Sequence, residues 1–175
     1  MANMELRVLT LEDLPQRVRW MNNPKVYGSM HFDVPVLIDK TIDWFNRNQQ
    51  RNNRVDCAFW GVDGKIVAFG GITSIDKEIG KGETYIFTDP ETRHKGIGTD
   101  AMVLLCKYGF ETLSLNKLYA YTNEDNVASI RLHQKVGYEI EGRLRQEYID
   151  TNGILKDRFY LGYLKQNYLK YKDER

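Results

Sequence analysis

The chain has 175 residues, with 25 Lys and Arg against 24 Asp and Glu, so its formal charge of +1 gives no global field that draws it to nucleic acid or an anionic membrane. A 42% hydrophobic and 12% aromatic content with only 4 Pro supports a sizeable core and excludes a disordered chain. No run approaches the ~20 apolar residues of a membrane span, and the start lacks the apolar core of a secretory signal, which predicts a cytoplasmic protein.

Residues 5–9 read as a strand. Thr10, Leu11, Glu12 and Asp13 then resemble a capping box opening a helix to about Met21, which Asn22-Asn23-Pro24 ends. Asp39 is the expected cap of a second helix carrying Ile42, Trp44 and Phe45. It fades into residues 46–54, a tract without an acid, read as a solvated helix end or as an anion-contact patch. Residues 55–62 and 65–75 are rich in β-branched and aromatic types, and Asp63-Gly64 between them predicts a type I′ hairpin. Residues 80–82 make the next turn and residues 83–88 a third sheet strand, ending at Asp89-Pro90.

The period then changes. Ala101, Leu104, Leu105, Tyr108 and Thr112 fall on one helical face beginning near Gly98. Residues 117–122 are again strand-like, and Asn126 caps a helix that ends at Gly137. Two last strands, from Tyr138 and over residues 154–164, join through Asn152-Gly153. Strand, two helices, three strands, helix, strand, helix and two strands predict one mixed α+β domain over residues 1–175, with helices on the faces of its sheet.

Cys57 and Cys106 sit apart in apolar settings, which suits two reduced, buried thiols. The only histidines, His31, His94 and His133, form no ligand-spaced cluster, so no metal site is expected. The chemistry-bearing segment is residues 89–99. A strand runs through Arg93, His94, Lys95, Gly96, Ile97 and Gly98 straight into a helix. Free N–H groups at a helix start, about half a positive charge and the absence of a Cβ together bind a pyrophosphate. Gly96 to Ala101 also satisfies GxGxxG/A, but a dinucleotide fold places that pattern after the first strand of a parallel βαβ unit, and here antiparallel strands precede it.

From residue 83 to 138 the chain resembles the GNAT superfamily of acetyl-CoA-dependent N-acetyltransferases. The family's R/Q-x-x-G-x-G/A loop stands here as Arg93-His94-Lys95-Gly96-Ile97-Gly98. A second motif, similar to N-x-x-S-I-R-L-Y-E-K-x-G-F, runs from Asn126 through Ser129, Ile130, Arg131, Leu132 and His133 to Gly137 and Tyr138. Residues 7–14 and 20–24, with Glu141-Gly142-Arg143-Leu144, look like the RimJ/RimL-like branch, so the resemblance covers nearly the full chain.

The resemblance implies a mostly antiparallel twisted sheet, helices on both faces, and a V-shaped splay between the two central strands. It implies acetyl-CoA as co-substrate. Backbone groups at Phe87, Thr88 and Asp89 would meet the pantetheine arm, one of them facing the thioester oxygen. Arg93, His94, Lys95, Gly96, Ile97, Gly98 and Thr99 would hold the pyrophosphate, and Asn126 the cofactor arm. His133 stands where many members have a proton-donating Tyr; it is a candidate acid towards the departing thiolate or a packed histidine. Glu83, at the start of its strand, is the candidate base or a solvated strand-end acid.

The expected acceptor is a small primary amine, either an amino sugar, which a nucleotide link would make anionic, or a polyamine. Aromatic residues Trp20, Tyr27, His31, Phe32, Trp44 and Phe45 suit a pocket or core. Lys25, Arg47, Arg51 and Arg54 are the candidate contacts for phosphates, and Asp33, Asp39, Glu83 and Glu147 for a polyamine. A protein N-terminus as acceptor and a non-catalytic acyl-CoA-binding module are the alternatives. Neither nucleic acid nor membrane is an expected partner, and the chain is read as monomer or homodimer.

Overall fold

The computed structural model describes residues 4–30, 32–92, 95–150 and 152–173, with side chains through residue 170. Arg93, His94 and His31, three residues singled out in the sequence, lie outside the described residues.

Seven strands form one sheet in the order β1-β2-β3-β4-β5-β7-β6. They are β1 (Glu5–Val8), β2 (Val55–Trp60), β3 (Ile66–Asp76), β4 (Lys81–Thr88), β5 (Lys117–Asn123), β6 (Glu139–Ile149) and β7 (Leu155–Leu164). Every neighbouring pair is antiparallel except β4 and β5. Among the described residues six α-helices accompany them: α1 (Leu14–Met21), α2 (Pro24–Met30), α3 (Ile38–Gln49), α4 (Ile97–Lys107), α5 (Val127–Val136) and α6 (Lys165–Asp173).

Adjacent strand residues go to opposite cores because side chains alternate across a sheet. Cys57, Phe59, Ala68 and Ile72 pack with Ala101, Met102 and Leu105 of α4 on one face. Ala58 and Phe69 pack with Leu14 and Trp20 of α1 and Phe45 of α3 on the other. Each large side chain taken wholly from water contributes about 1.5–3 kcal/mol, so both layers are held mainly by apolar burial. The two thiols are free and buried, their pKa values pushed up to about 12 chiefly by burial, and neither is a ready nucleophile.

The strands and four expected helices are present, and α2 and α6 are additional. Pro24 ends α1 but is also the first residue of α2, where its missing N–H has no helical partner to lose. Asp39 lies in the first turn of α3, whose N-cap is Leu37. The β2–β3 connection is not type I′. Gly64 alone takes a left-handed φ of 72°, and Gly64 N donates to Gly61 O, a type I turn followed by a glycine that returns the chain to its partner. The expected α4 stripe fails at its end. Residues Tyr108–Thr112 wind as a π turn, with Leu113 N donating to Tyr108 O, which rotates Phe110 into the core and Thr112 out.

Candidate active site

The sheet opens where its one parallel pair separates. β4 and β5 share register only at Lys81↔Lys117, Gly82↔Leu118 and Glu83↔Tyr119, yet β4 continues to Thr88 and β5 to Asn123. This is the predicted V-shaped splay. Asp89 N donates to Val67 O at 3.0 Å, and Phe87 pairs with Phe69 two places back in the same register. In an antiparallel ladder a residue sends both its N–H and its C=O to the same neighbour. The Phe87 and Asp89 backbones therefore face β3, and those of Ile86 and Thr88 face the slot. Of the three expected backbone positions, Thr88 thus opens to the slot, joined by Ile86, and Phe87 and Asp89 are turned to β3. The Phe87 side chain is buried against Phe69 and Phe32 in the core.

At the mouth of the slot α4 begins. Gly96 is its N-cap at a φ of 99°, a left-handed conformation that a side chain would strain. The first intrahelical bond runs from Asp100 N to Gly96 O, so the N–H groups of Ile97, Gly98 and Thr99 have no helical acceptor and point out of the helix start. Lys95 is exposed beside them. Gly98 lies between β4 and α5: a Cβ there would sit 2.9 Å from Leu132 Cδ1 and 3.6 Å from Thr88 Cγ2. The glycine lets α4 start close against β4 and α5, and the free N–H groups of that start are what can meet a phosphate-bearing chain.

A cavity of about 190 Å³ occupies the splay, lined on β4 by Glu83 to Ile86 and on the opposite side by Asn123, Asn126, Ser129 and His133. Asn126 caps α5, its Oδ1 accepting from Ser129 N at 3.1 Å. Burial raises the Glu83 pKa above the ordinary glutamate value, and nearby Arg158 opposes the shift. His133 is 5% exposed and meets Tyr138 edge-on. Its Nδ1 lies 2.8 Å from Ser129 O. A carbonyl only accepts, so Nδ1 carries the proton and the neutral ring presents a lone pair at Nε2. Nε2 is buried with no partner among the described residues.

Burial also lowers the His133 pKa below 6.5, with the Ser129 bond opposing. The folded state thus binds its proton less readily than the unfolded chain. The stabilisation that follows is fully present above pH 6.5 and is lost as pH falls through the lowered value. Chemical denaturation from pH 7.5 to 5 is expected to lose less stability in His133→Gln than in wild type. Parallel losses would show that the imidazole is not the group taking up the proton.

Next to the slot, sharing Met30 and Tyr85 with it, lies an apolar cavity of about 640 Å³ between α1, α3 and the loop joining α2 to α3. Of the aromatic residues read as pocket or core, Phe32 and Trp44 line it, and Trp20 and Phe45 are core. Of the proposed basic contacts only Arg54 reaches its wall; Lys25 instead bonds Pro90 O, and Arg47 and Arg51 are exposed. Among the proposed acids, Asp33 lines this cavity and Glu83 the slot. One wall residue went unread. Arg17, only 4% exposed, sits between Leu14 and Trp20 on the buried face of α1. A cation at a three-residue step inside an apolar stripe was the available signal.

An enzyme built this way draws an extended, phosphate-bearing donor into the slot and a second substrate into the cavity, the division of labour of a coenzyme A-dependent acyltransferase. The family described as "Acetyltransferase (GNAT) domain" matches residues 3–139. The chain belongs to that family and is an N-acetyltransferase with acetyl-CoA as co-substrate. It is 29% identical to a spermidine N(1)-acetyltransferase of Escherichia coli strain K12, over 95% of this chain and 89% of that one. It is 27% identical to an uncharacterized N-acetyltransferase, p20, of Bacillus licheniformis over 94% of each. A spermidine N-acetyltransferase from Vibrio cholerae, solved in complex with CoA and spermine, superposes with a TM-score of 0.90. At 22% identity, over 95% of this chain and 98% of that one, that likeness is one of fold.

The helix start at Gly98 gives a direct test. Gly98→Val is expected to weaken acetyl-CoA binding by about tenfold or more, which is about 1.4 kcal/mol. Titration calorimetry on a variant with wild-type circular dichroism measures it, and equal affinities would remove the helix start from the binding site.

Proposed function

We propose that the protein transfers the acetyl group of acetyl-CoA to a primary amine of a small molecule, by direct attack of the amine on the thioester. The carrying observation is the meeting of slot and adjoining cavity at Met30 and Tyr85, next to Glu83. A cavity of about 640 Å³ suits a compact acceptor better than an extended peptide. The printed activity of the Escherichia coli relative, on spermidine, also supports a small amine. Both thiols are buried and free, in keeping with a cytoplasmic setting.

Acetyl-CoA supplies an activated acyl carbon. The chain's task is then to position two substrates and move two protons. A lysine-like ammonium, with a pKa near 10, must lose one proton before it attacks. Glu83, at the junction, takes that proton and passes it to water. As the C–N bond forms and the C–S bond breaks, the nitrogen sheds a second proton and the sulfur gains one. His133, neutral with its Nε2 lone pair free, accepts the proton from nitrogen and acts as the acid towards sulfur. A backbone N–H of Ile86 or Thr88 meets the developing oxyanion. Asn126 and the N–H groups of Ile97, Gly98 and Thr99, with Lys95, hold the donor.

The experiment is CoA release with amino sugars, polyamines and peptides bearing free N-termini. Turnover of amino sugars or polyamines with peptides inert is the expected result. Efficient peptide acetylation with the small amines inert would overturn it.

A further inference from the structure

Arg17 is a guanidinium held in the wall of the acceptor cavity without an ion-pair partner among the described residues. Four aromatic rings surround it, with Phe87 at 5.2 Å, Trp44 at 5.3 Å, Phe69 at 5.6 Å and Tyr85 at 5.7 Å from its Cζ. Its Nη2 donates to Tyr85 Oη at 3.2 Å. Tyr85 Oη in turn donates to Asp56 Oδ1 at 2.5 Å. Asp56 is not available to Arg17, because both its oxygens accept from Arg54, Nε and Nη2 each at 2.8 Å. Arg17 Nη1 is left buried with no hydrogen-bond partner.

Aromatic faces stabilise a cation but offer nothing in the guanidinium plane to accept its N–H groups. A buried charged donor without an acceptor is costly, and an anion that pairs with it in the same dry site gains a strong charge-assisted bond. Arg17, Arg54 and Lys40 line the cavity against one lining carboxylate, Asp33, with Asp56 behind the wall. Arg54 is paired with Asp56 and Glu83 adds a carboxylate at the junction, so the cations and carboxylates balance in number. It is Arg17, buried without an ion-pair partner among the described residues, that favours an anion.

We infer that the acceptor amine carries an anionic group, phosphate or carboxylate, that Arg17 binds inside the cavity while the amine reaches Glu83. The inference rests on the small-amine reading above and narrows it: this cavity is not built for spermidine, the substrate named for its relatives.

The test uses matched acceptors with the wild-type protein: glucosamine against glucosamine 6-phosphate, an ω-amino acid against its amide, and spermidine. CoA release gives kcat/KM for each. At least one anionic member is expected to exceed its neutral partner by about tenfold or more, mainly through KM, which marks a ground-state contact. The phosphate and carboxylate arms tell the two anions apart. Arg17→Gln is expected to abolish the advantage, and the wild-type pairs decide the matter even where that variant fails to fold. Preference for spermidine, or equal values within both pairs, overturns the anion site and leaves the small-amine reading standing. Turnover of none of these amines, with peptides acetylated, overturns both.

Discussion

Glu83→Gln is expected to lower kcat by about 10²- to 10⁴-fold, the range for removing a positioned general base, with acetyl-CoA affinity preserved. The substitution keeps the shape of the side chain and removes only its capacity to take a proton. Glu83 pairs across the ladder with Thr73, which lines the acceptor cavity, while Glu83 itself lines the slot. On the proposed mechanism it stands where the amine loses its proton. Burial raises its pKa above the usual glutamate value, which makes it a stronger base than a solvated carboxylate, and Arg158 tempers the shift. The base works only as carboxylate, so wild-type kcat/KM is expected to rise with pH through this raised pKa. Glu83→Gln should lack that limb. A variant that keeps near-normal turnover with the same pH profile would show that the amine sheds its proton to solvent unaided.

Much of this site is legible in the sequence because it is written in backbone rules that act locally. The strands followed from β-branched and aromatic runs set between turn signals, the α5 start from its Asn126 cap, and the α4 start, read near Gly98, lies one residue earlier at Ile97. What stayed hidden depends on through-space partners. Which of Phe87 or Thr88 faces the slot is decided by the register of β4 on β3, fixed by pairs such as Phe69↔Phe87 that no local pattern reports. A one-residue slip would exchange their roles. The helix α6 lacks a continuous apolar stripe, and its anchor, Tyr168, is held by a tilted ring contact with Phe110 from a distant segment. Phe110 itself reaches the core only through the π turn. The Arg54 pair shows the same limit. A tract that reads as solvent-facing ends in a guanidinium clamped on the buried Asp56, because the chain turns there into β2.

Arg17 and His133 share a physical character that sets them apart from the rest of the interior. Each is a largely buried titratable side chain with one nitrogen satisfied by the protein and another left without a partner, and both line the adjoining cavities. Native interiors leave few polar atoms unpaired; Asn48 Nδ2, also unpaired, lines neither cavity, so it is the cavity position of Arg17 and His133 that suits them to meet substrate. On this view the protein supplies half of each contact and the two substrates the other half: an anion at Arg17 and a proton in transit at His133.

For His133 the expected result is a split between two substitutions. His133→Gln keeps a polar side chain but cannot relay a proton, and kcat should fall by about 10²- to 10⁴-fold. His133→Tyr should recover activity to within about tenfold of wild type, since a phenol can donate directly to sulfur from the same helical position. The pH dependence separates the two proton sources. Wild-type imidazole must be neutral to accept the nitrogen's proton, so its activity should fall as pH drops through a pKa below 6.5. The phenol, with an ordinary pKa near 10, is protonated across that range. His133→Tyr is thus expected to lose the acid limb due to His133 and keep the one due to Glu83. The wild-type limb follows from the Nδ1 bond to Ser129 O, which fixes the proton away from Nε2. Stopped-flow CoA release from pH 5 to 8 on the three proteins measures all of this. Near-wild-type turnover in His133→Gln would reduce His133 to a packing residue beside Tyr138, and identical acid limbs in wild type and His133→Tyr would assign that limb wholly to Glu83.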